Sequence, residues 1–321
     1  MTMEDLANLA GVSKITISRA LRDSPLVAPE TRAAIQKLAQ EHGYKLNVSA
    51  RNLRLQQSRM VEVVVEMRPA ADRPMSDPYP LELLGGICQE LTTVGYSVLL
   101  QAQPEAMRFS SQGADGIILL GQGPHGDAVR ALAKSGLPMV VWGAEDPASP
   151  AVVVGSDNRQ GGAVAAARLL ALGRRRLVFL GDIDHAEIAA RCAGFTEAAT
   201  AAGATVTAAR PDGFTFGGGD RAVRALLAAG TAPDGIFAAS DLLAMGAIGA
   251  LTDAGLSVPE AVSVIGCDNT PMGASFVPPL TSIHQDWRQG GILLAKKILQ
   301  MIEGEPVQSE MLPTQLVVRG S

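Results

Sequence analysis

Lys14, Ile15, Ser18 and Arg19 fall within one short amphipathic stretch, spaced so that Lys14 and Ser18, and likewise Ile15 and Arg19, lie one helical turn apart. Such a face offers a point cation, an aliphatic group, a hydroxyl and a fork-shaped donor, a set suited to the edges of bases in a DNA major groove. Arg19 can bond a guanine edge, Lys14 a base or phosphate, and Ile15 a thymine methyl. Ser13, a good helix cap, and Thr16 border the same face. The alternative is an ordinary surface helix with one exposed aliphatic residue. Farther on, Asn47 is a plausible cap for a helix-compatible run that carries Ala50, Arg51, Leu53 and Arg54. A leucine between cations on a short helix fits a wedge driven into a minor-groove step, although a plain linker would also accommodate it.

A second set of polar residues follows short apolar runs: Ser156-Asp157-Asn158 after AVVVG, Ser240-Asp241 after DGIFAA, and Asp268-Asn269 after VSVIG. Each could be a helix cap. Their shared position at strand ends is where open α/β sheets bind ligands, and carboxylates and amides there can bond several hydroxyls. Phe214 or Trp142 could stack on the apolar face of a sugar. No Walker A, GxGxxG, GxSxG, HExxH or spaced Ser/His/Asp set occurs, so catalytic residues and a nucleotide or metal cofactor are not indicated. Gly217-Gly218-Gly219 reads as a loop before a helix, and the four histidines read as surface or loop residues.

These groups need two kinds of scaffold. Residues 1–59 hold 9 Lys/Arg against 5 Asp/Glu, net +4, whereas the remainder is net −9, which suggests a basic module for a polyanion joined to an acidic body. The periodicity predicts helices over 3–9 and 13–21, broken at Gly11-Val12, with a capping box from Thr2 to Asp5. A third helix is expected from Pro29-Glu30 to His42, with Ile35, Leu38 and Ala39 facing inward, completing a helix-turn-helix. From Met60 onward ten strand-like runs are expected, at 61–66, 96–101, 115–120, 137–142, 151–155, 176–181, 204–208, 234–239, 262–266 and 281–284. Ala- and Leu-rich helical stretches such as 160–172 and 241–254 alternate with them, implying parallel sheets covered on both faces in two doubly wound subdomains.

The chain has 321 residues, 47% hydrophobic and 18% charged, which excludes disorder. Its three cysteines, Cys88, Cys192 and Cys267, are too scattered for a disulfide framework. Acidic residues stand where a signal peptide would have basic ones, and no apolar run approaches a membrane span, so a cytoplasmic location without membrane contact is expected.

Residues 2–58 resemble the headpiece and hinge of the lactose-repressor (LacI/GalR) family of bacterial transcription regulators. The resemblance rests on Ala10-Gly11-Val12-Ser13, Ser18-Arg19-Ala20-Leu21, Glu30-Thr31-Arg32-Ala33-Ala34-Ile35 and His42-Gly43-Tyr44-Lys45-Leu46-Asn47. It implies a helix-turn-helix domain over 1–46, a hinge helix and linker over 47–59, and an effector-binding and dimerisation domain over 60–321. It also implies that Lys14 and Ile15 choose the operator, that Arg19 is a shared base contact and that Leu53 pries open the central step. Leu46 departs from the family's usual proline.

The body resembles the periplasmic-binding-protein fold of the same regulators through Val154-Gly155-Ser156-Asp157-Asn158, Arg191-Cys192-Ala193-Gly194-Phe195, Ser240-Asp241-Leu242-Leu243-Ala244-Met245-Gly246-Ala247, Val264-Ile265-Gly266-Cys267-Asp268-Asn269 and Pro279-Leu280-Thr281-Ser282-Ile283-His284-Gln285-Asp286. By that resemblance Arg191 and Asp268 form the main effector-binding pair, Phe214 an aromatic wall, and Ser240 and Gln285 further contacts. Asp77 and Tyr79 lie in a ligand-touching loop, and Asp241 is either a ligand contact or a cap. The only 13 residues between Gln101 and Asp115 imply a shortened crossover. The expected protein is a homodimeric repressor that binds double-stranded operator DNA and answers to a small effector, most simply a sugar. The rivals are a regulator responding to a purine, sugar phosphate or other metabolite, and a sugar-processing enzyme with a DNA-binding appendage.

Overall fold

Gly11 takes a left-handed backbone, φ +64°, at the end of α1 (Met3–Ala10), and this turn swings the chain into α2 (Lys14–Ala20). Thr2 and Asp5 close the expected capping box, and the Ser13 hydroxyl accepts from Thr16 N at 3.2 Å. α3 (Pro29–Glu41) completes a core of Leu6, Ala7, Ile17, Ala20, Ile35 and Ala39. The computed structural model describes residues 1–44, 58–66, 77–103, 113–146 and 149–321. Its contacts divide the chain into compact units at Met1–Ser58 and Arg59–Ser321.

The body holds two six-stranded sheets. The first orders β11-β5-β4-β3-β1-β2, built from β1 (Met60–Glu66), β2 (Ser97–Gln103), β3 (Gly116–Leu120), β4 (Met139–Trp142), β5 (Val152–Ser156) and β11 (Glu310–Leu312), all parallel. The second orders β12-β10-β9-β8-β6-β7, from β6 (Arg176–Leu180), β7 (Thr205–Ala209), β8 (Gly235–Ala238), β9 (Ser263–Asp268), β10 (Thr281–His284) and β12 (Gln315–Val317). Ten strands stand where the apolar runs place them. β11 and β12 were not expected, because three-residue strands carry too little pattern, and β12 is antiparallel to β10.

On one face of the first sheet α4 (Pro78–Thr93) and α11 (Trp287–Ile302) bury Leu83, Ile87, Leu294 and Ile298 against Val61, Val63 and Ile118, and α5 (Asp127–Leu132) covers the other face. Around the second sheet α6 (Asn158–Ala171) packs on α7 (Ala186–Ala201), and α8 (Phe216–Ala228) packs on α9 (Asp241–Asp253). A short α10 (Pro271–Ala274) follows β9. The chain crosses between sheets three times, from β5 to α6, from β10 to α11, and from β11 to β12.

Each of the three helix pairs closes on reciprocal glycines. A Cβ at Gly86 would lie 2.3 Å from Arg288 O and one at Gly291 2.2 Å from Leu83 O. The corresponding clashes are 2.0 and 1.9 Å for Gly162 and Gly194, and 2.2 and 2.0 Å for Gly219 and Gly246. This corrects the reading of Gly217-Gly218-Gly219 as a loop. They lie in the first turn of α8 behind the Thr215 cap, where Gly219 admits the Leu243 carbonyl. Among the described residues no helix is long and apolar enough to cross a membrane, and no acidic, histidine or cysteine cluster could hold a metal.

Adjacent glycines on α4 separate propensity from packing. Gly85 is exposed with nothing within 4 Å of its would-be Cβ, so Gly85→Ala should stabilise the body by about 0.5–1 kcal/mol. Gly86→Ala should destabilise it by about 1–3 kcal/mol. Urea denaturation of the two variants checks the opposite signs.

Candidate functional site

The two sheets present the carboxyl ends of their parallel strands to one another, and an open cavity lies between them. One wall comes from the first sheet and its loops: Glu66 at the end of β1, Gly121 after β3, Trp142 ending β4, and Tyr79 on α4. The other comes from the second: Arg191 and Glu187 on α7, Phe214, Ala239 after β8, and Asp268 ending β9. Crossover residues Ser156, Asn158 and Gln285 line the cavity where the walls join.

Arg191, 5% exposed, donates from Nε to Asn158 Oδ1 at 2.8 Å and from Nη1 to the Ala239 carbonyl at 2.5 Å. Asp268 accepts from Gln285 Nε2 at 2.8 Å. Its φ of +117° is a strained setting for a non-glycine residue, the kind of local cost that surrounding structure imposes at binding sites. The rings of Phe214 and His185 meet edge to face at 5.4 Å, and Tyr79 meets Trp287 likewise at 5.7 Å. Trp142 reaches the cavity, but its ring lies against Gly290 and it is only 5% exposed, so it is chiefly a core residue.

Seven expected contacts therefore converge on the cavity: Tyr79, Trp142, Ser156, Arg191, Phe214, Asp268 and Gln285. Four others do not line it. Asp77 caps α4 by accepting from Tyr79 N, Asp157 caps α6 by accepting from Gln160 N, and Ser240 caps α9 by accepting from Leu243 N. Asp241 is buried and accepts from Thr270 N at 2.6 Å, Thr270 Oγ1 at 2.9 Å and Ser282 Oγ at 2.6 Å, with Gly266 and Gly273 lying against its oxygens. Asp241 is therefore not the cap of α9, which is Ser240; it ties the start of that helix to the turn after β9 and to β10. Glu66, Glu187, Ile188 and His185 were missed; His185 is the loop residue that the histidine reading expects, and its loop borders the cavity. The helical position of Glu187 one turn before Arg191 was the available signal.

In the N-terminal unit Ile15 is 64% exposed and Arg19 is exposed beside it. Lys14 Nζ pairs with Glu4 Oε2 at 2.9 Å, an exposed contact. Ser13 and Thr16 bond one another through their hydroxyls at 2.9 Å, and Ser18 accepts from Arg22 Nη2 at 2.9 Å. Asn47, Ala50, Arg51, Leu53 and Arg54 lie outside the described residues.

Residues 2–47 match the model for bacterial regulatory proteins of the lacI family, and residues 166–321 match a periplasmic binding protein-like domain. The transcriptional regulator CelR of Thermobifida fusca is 31% identical over an alignment 334 positions long, covering 100% of this chain and 98% of the relative. The chain belongs to the lacI family of bacterial regulatory proteins. Two solved structures of that family align over the whole chain. A lac repressor dimer bound to operator and the anti-inducer ONPF gives a TM-score of 0.89 at 25% identity, covering 98% of that chain. A CelR–cellobiose complex gives 0.73 at 30% identity, covering 99%. As a lacI-family member the chain is a helix-turn-helix, DNA-binding transcription regulator rather than an enzyme.

Burial pushes the Asp241 carboxyl of this regulator up to about 6 from an ordinary 3.8, while hydrogen bonds from Ser282 and Thr270 pull it partly back. The folded value lies above the unfolded one, so the stability Asp241 contributes is present below about pH 4 and is lost as pH rises toward 6. Asp241→Asn should flatten that segment of the stability curve, by roughly 2–3 kcal/mol. Urea midpoints at several pH values between 4 and 7 test this, and parallel curves for the two proteins would assign the slope to another group.

Proposed function

We propose that the chain is a homodimeric repressor, acting in the cytoplasm, whose hold on a pseudo-palindromic operator is set by a sugar bound between the two sheets. The carrying observation is that one cavity takes its walls from both sheets, with the chain crossings at its base. A ligand touching both walls has different affinities for open and closed arrangements, so it biases their equilibrium. Residues 1–46 are assigned to DNA reading and 60–321 to effector binding and dimerisation. Residues 47–59 are assigned as the hinge that carries the change to DNA, with Asn47, Ala50, Arg51, Leu53 and Arg54 contacting the minor groove. Ile15 and Arg19 carry the major-groove reading, with Lys14 joining them once it exchanges Glu4 for DNA.

The sugar class is supported by hydroxyl-matching groups, Arg191, Asp268, Asn158 and Gln285, beside the Phe214 ring. It also agrees with the cellobiose held by the CelR structure. A single reading helix per chain covers one half-site, which is why a two-fold dimer is proposed.

Selection from random duplexes should yield a two-fold symmetric site for the full chain, and deletion of residues 1–58 should abolish that binding while leaving the body folded. Operator binding by the truncated body would refute the assignment. Arg191→Ala and Asp268→Ala should each cost about 2 kcal/mol or more of effector affinity, because each leaves buried polar partners unanswered. Operator affinity without effector should stay near that of the parent, and calorimetry beside a mobility-shift assay measures both.

A further inference from the structure

The cavity walls carry three carboxylates, Glu66, Glu187 and Asp268, against one guanidinium, that of Arg191. That guanidinium already serves Asn158 and the Ala239 carbonyl. Helix α7 begins at the cavity, with His185 as its cap residue making no side-chain cap bond. The bare amides of such a helix start would ordinarily favour a phosphate or carboxylate. Here Glu187, in the first turn, places the protein's own negative charge there. Its Oε2 is shielded from solvent and accepts no hydrogen bond, and the Ser156 hydroxyl, only 3% exposed, likewise has no partner. Both line the cavity, so both point to hydrogen-bonding groups supplied by what enters it.

We infer that the effector is an uncharged or amino sugar, and that Glu187 is the specificity-determining residue that accepts its hydroxyl or ammonium hydrogen and rejects phosphorylated and carboxylated counterparts. This rests on the sugar reading above and narrows it. An anionic ligand would meet carboxylates from both walls with Arg191 as the one guanidinium among the described lining residues to offset them, at the short range where like charges repel most. A neutral ligand's hydroxyls answer Glu187 and Ser156 instead, and an ammonium adds charge complementarity.

The test is calorimetric titration of the full chain with the neutral, 2-amino, 6-phosphate and uronate forms of glucose, galactose and mannose. Cellobiose and ribose serve as further neutral probes, with guanine and adenosine as purine arms. The tightest binder should be a neutral or amino sugar, with the matching phosphate and uronate at least about 10-fold weaker. Glu187→Gln keeps the shape and removes the charge, so it should shrink that discrimination to about 3-fold or less and weaken any amino-sugar binding. A phosphate or uronate binding the parent protein more tightly than its neutral form overturns the inference while leaving the sugar reading intact. Unchanged discrimination in Glu187→Gln overturns the role of that residue. Tightest binding by a purine, or no carbohydrate binding in any arm, overturns the sugar reading itself.

Discussion

The close approach of α6 and α7 at Gly162 and Gly194 is the constraint on which the ligand cavity depends. With a Cβ at either position falling within 2.0 Å of the opposite carbonyl, no other residue lets the two backbones touch. That contact lies beside Arg191, whose guanidinium can therefore reach Asn158 at the mouth of α6 and the Ala239 carbonyl after β8. One side chain thus ties the first crossover to the second sheet. Were the helices held apart by a methyl group, the guanidinium would lose one of its buried partners and the cavity floor would lose its geometry.

The same device recurs where α4 meets α11 and where α8 meets α9. Its recurrence explains how helices so rich in Ala and Gly hold their places with few large side chains at the crossings. Burial of aliphatic groups supplies the non-directional attraction, and the glycines set the distance at which it acts. Asp241 is a further case of tight geometry, its carboxylate enclosed by Gly266 and Gly273 and answered by Thr270 and Ser282. It holds the turn after β9 from below, the turn beside which Asp268 lines the cavity.

Ten strands, the three N-terminal helices and the caps of the first two were legible in the sequence because periodicity and capping chemistry are local. β11 and β12 were not, since each is three residues long and owes its existence to a partner distant in sequence, β5 for β11 and β10 for β12. The candidate site was legible where a polar residue ends an apolar strand, as at Ser156 and Asp268. It failed where the same pattern serves the helix that follows: Asp157 and Ser240 are caps, and sequence cannot say which way a side chain turns. Glu187 escaped notice for the converse reason, looking like a solvated first-turn acid until the fold set it in the cavity lining.

The threefold passage of the chain between the sheets bears on how such a protein can be recombined. The lobe built on the first sheet needs both 60–156 and 287–312, and the other needs 158–284 and 315–317. Neither lobe is a continuous segment, so exchanging one for that of a relative takes splices at all three crossovers, beside Ser156, Gln285 and Leu312. The N-terminal helices ask for a single junction. New DNA targets are therefore within reach of simple gene fusion, whereas new ligand responses must come from substitutions made within an intact pair of lobes.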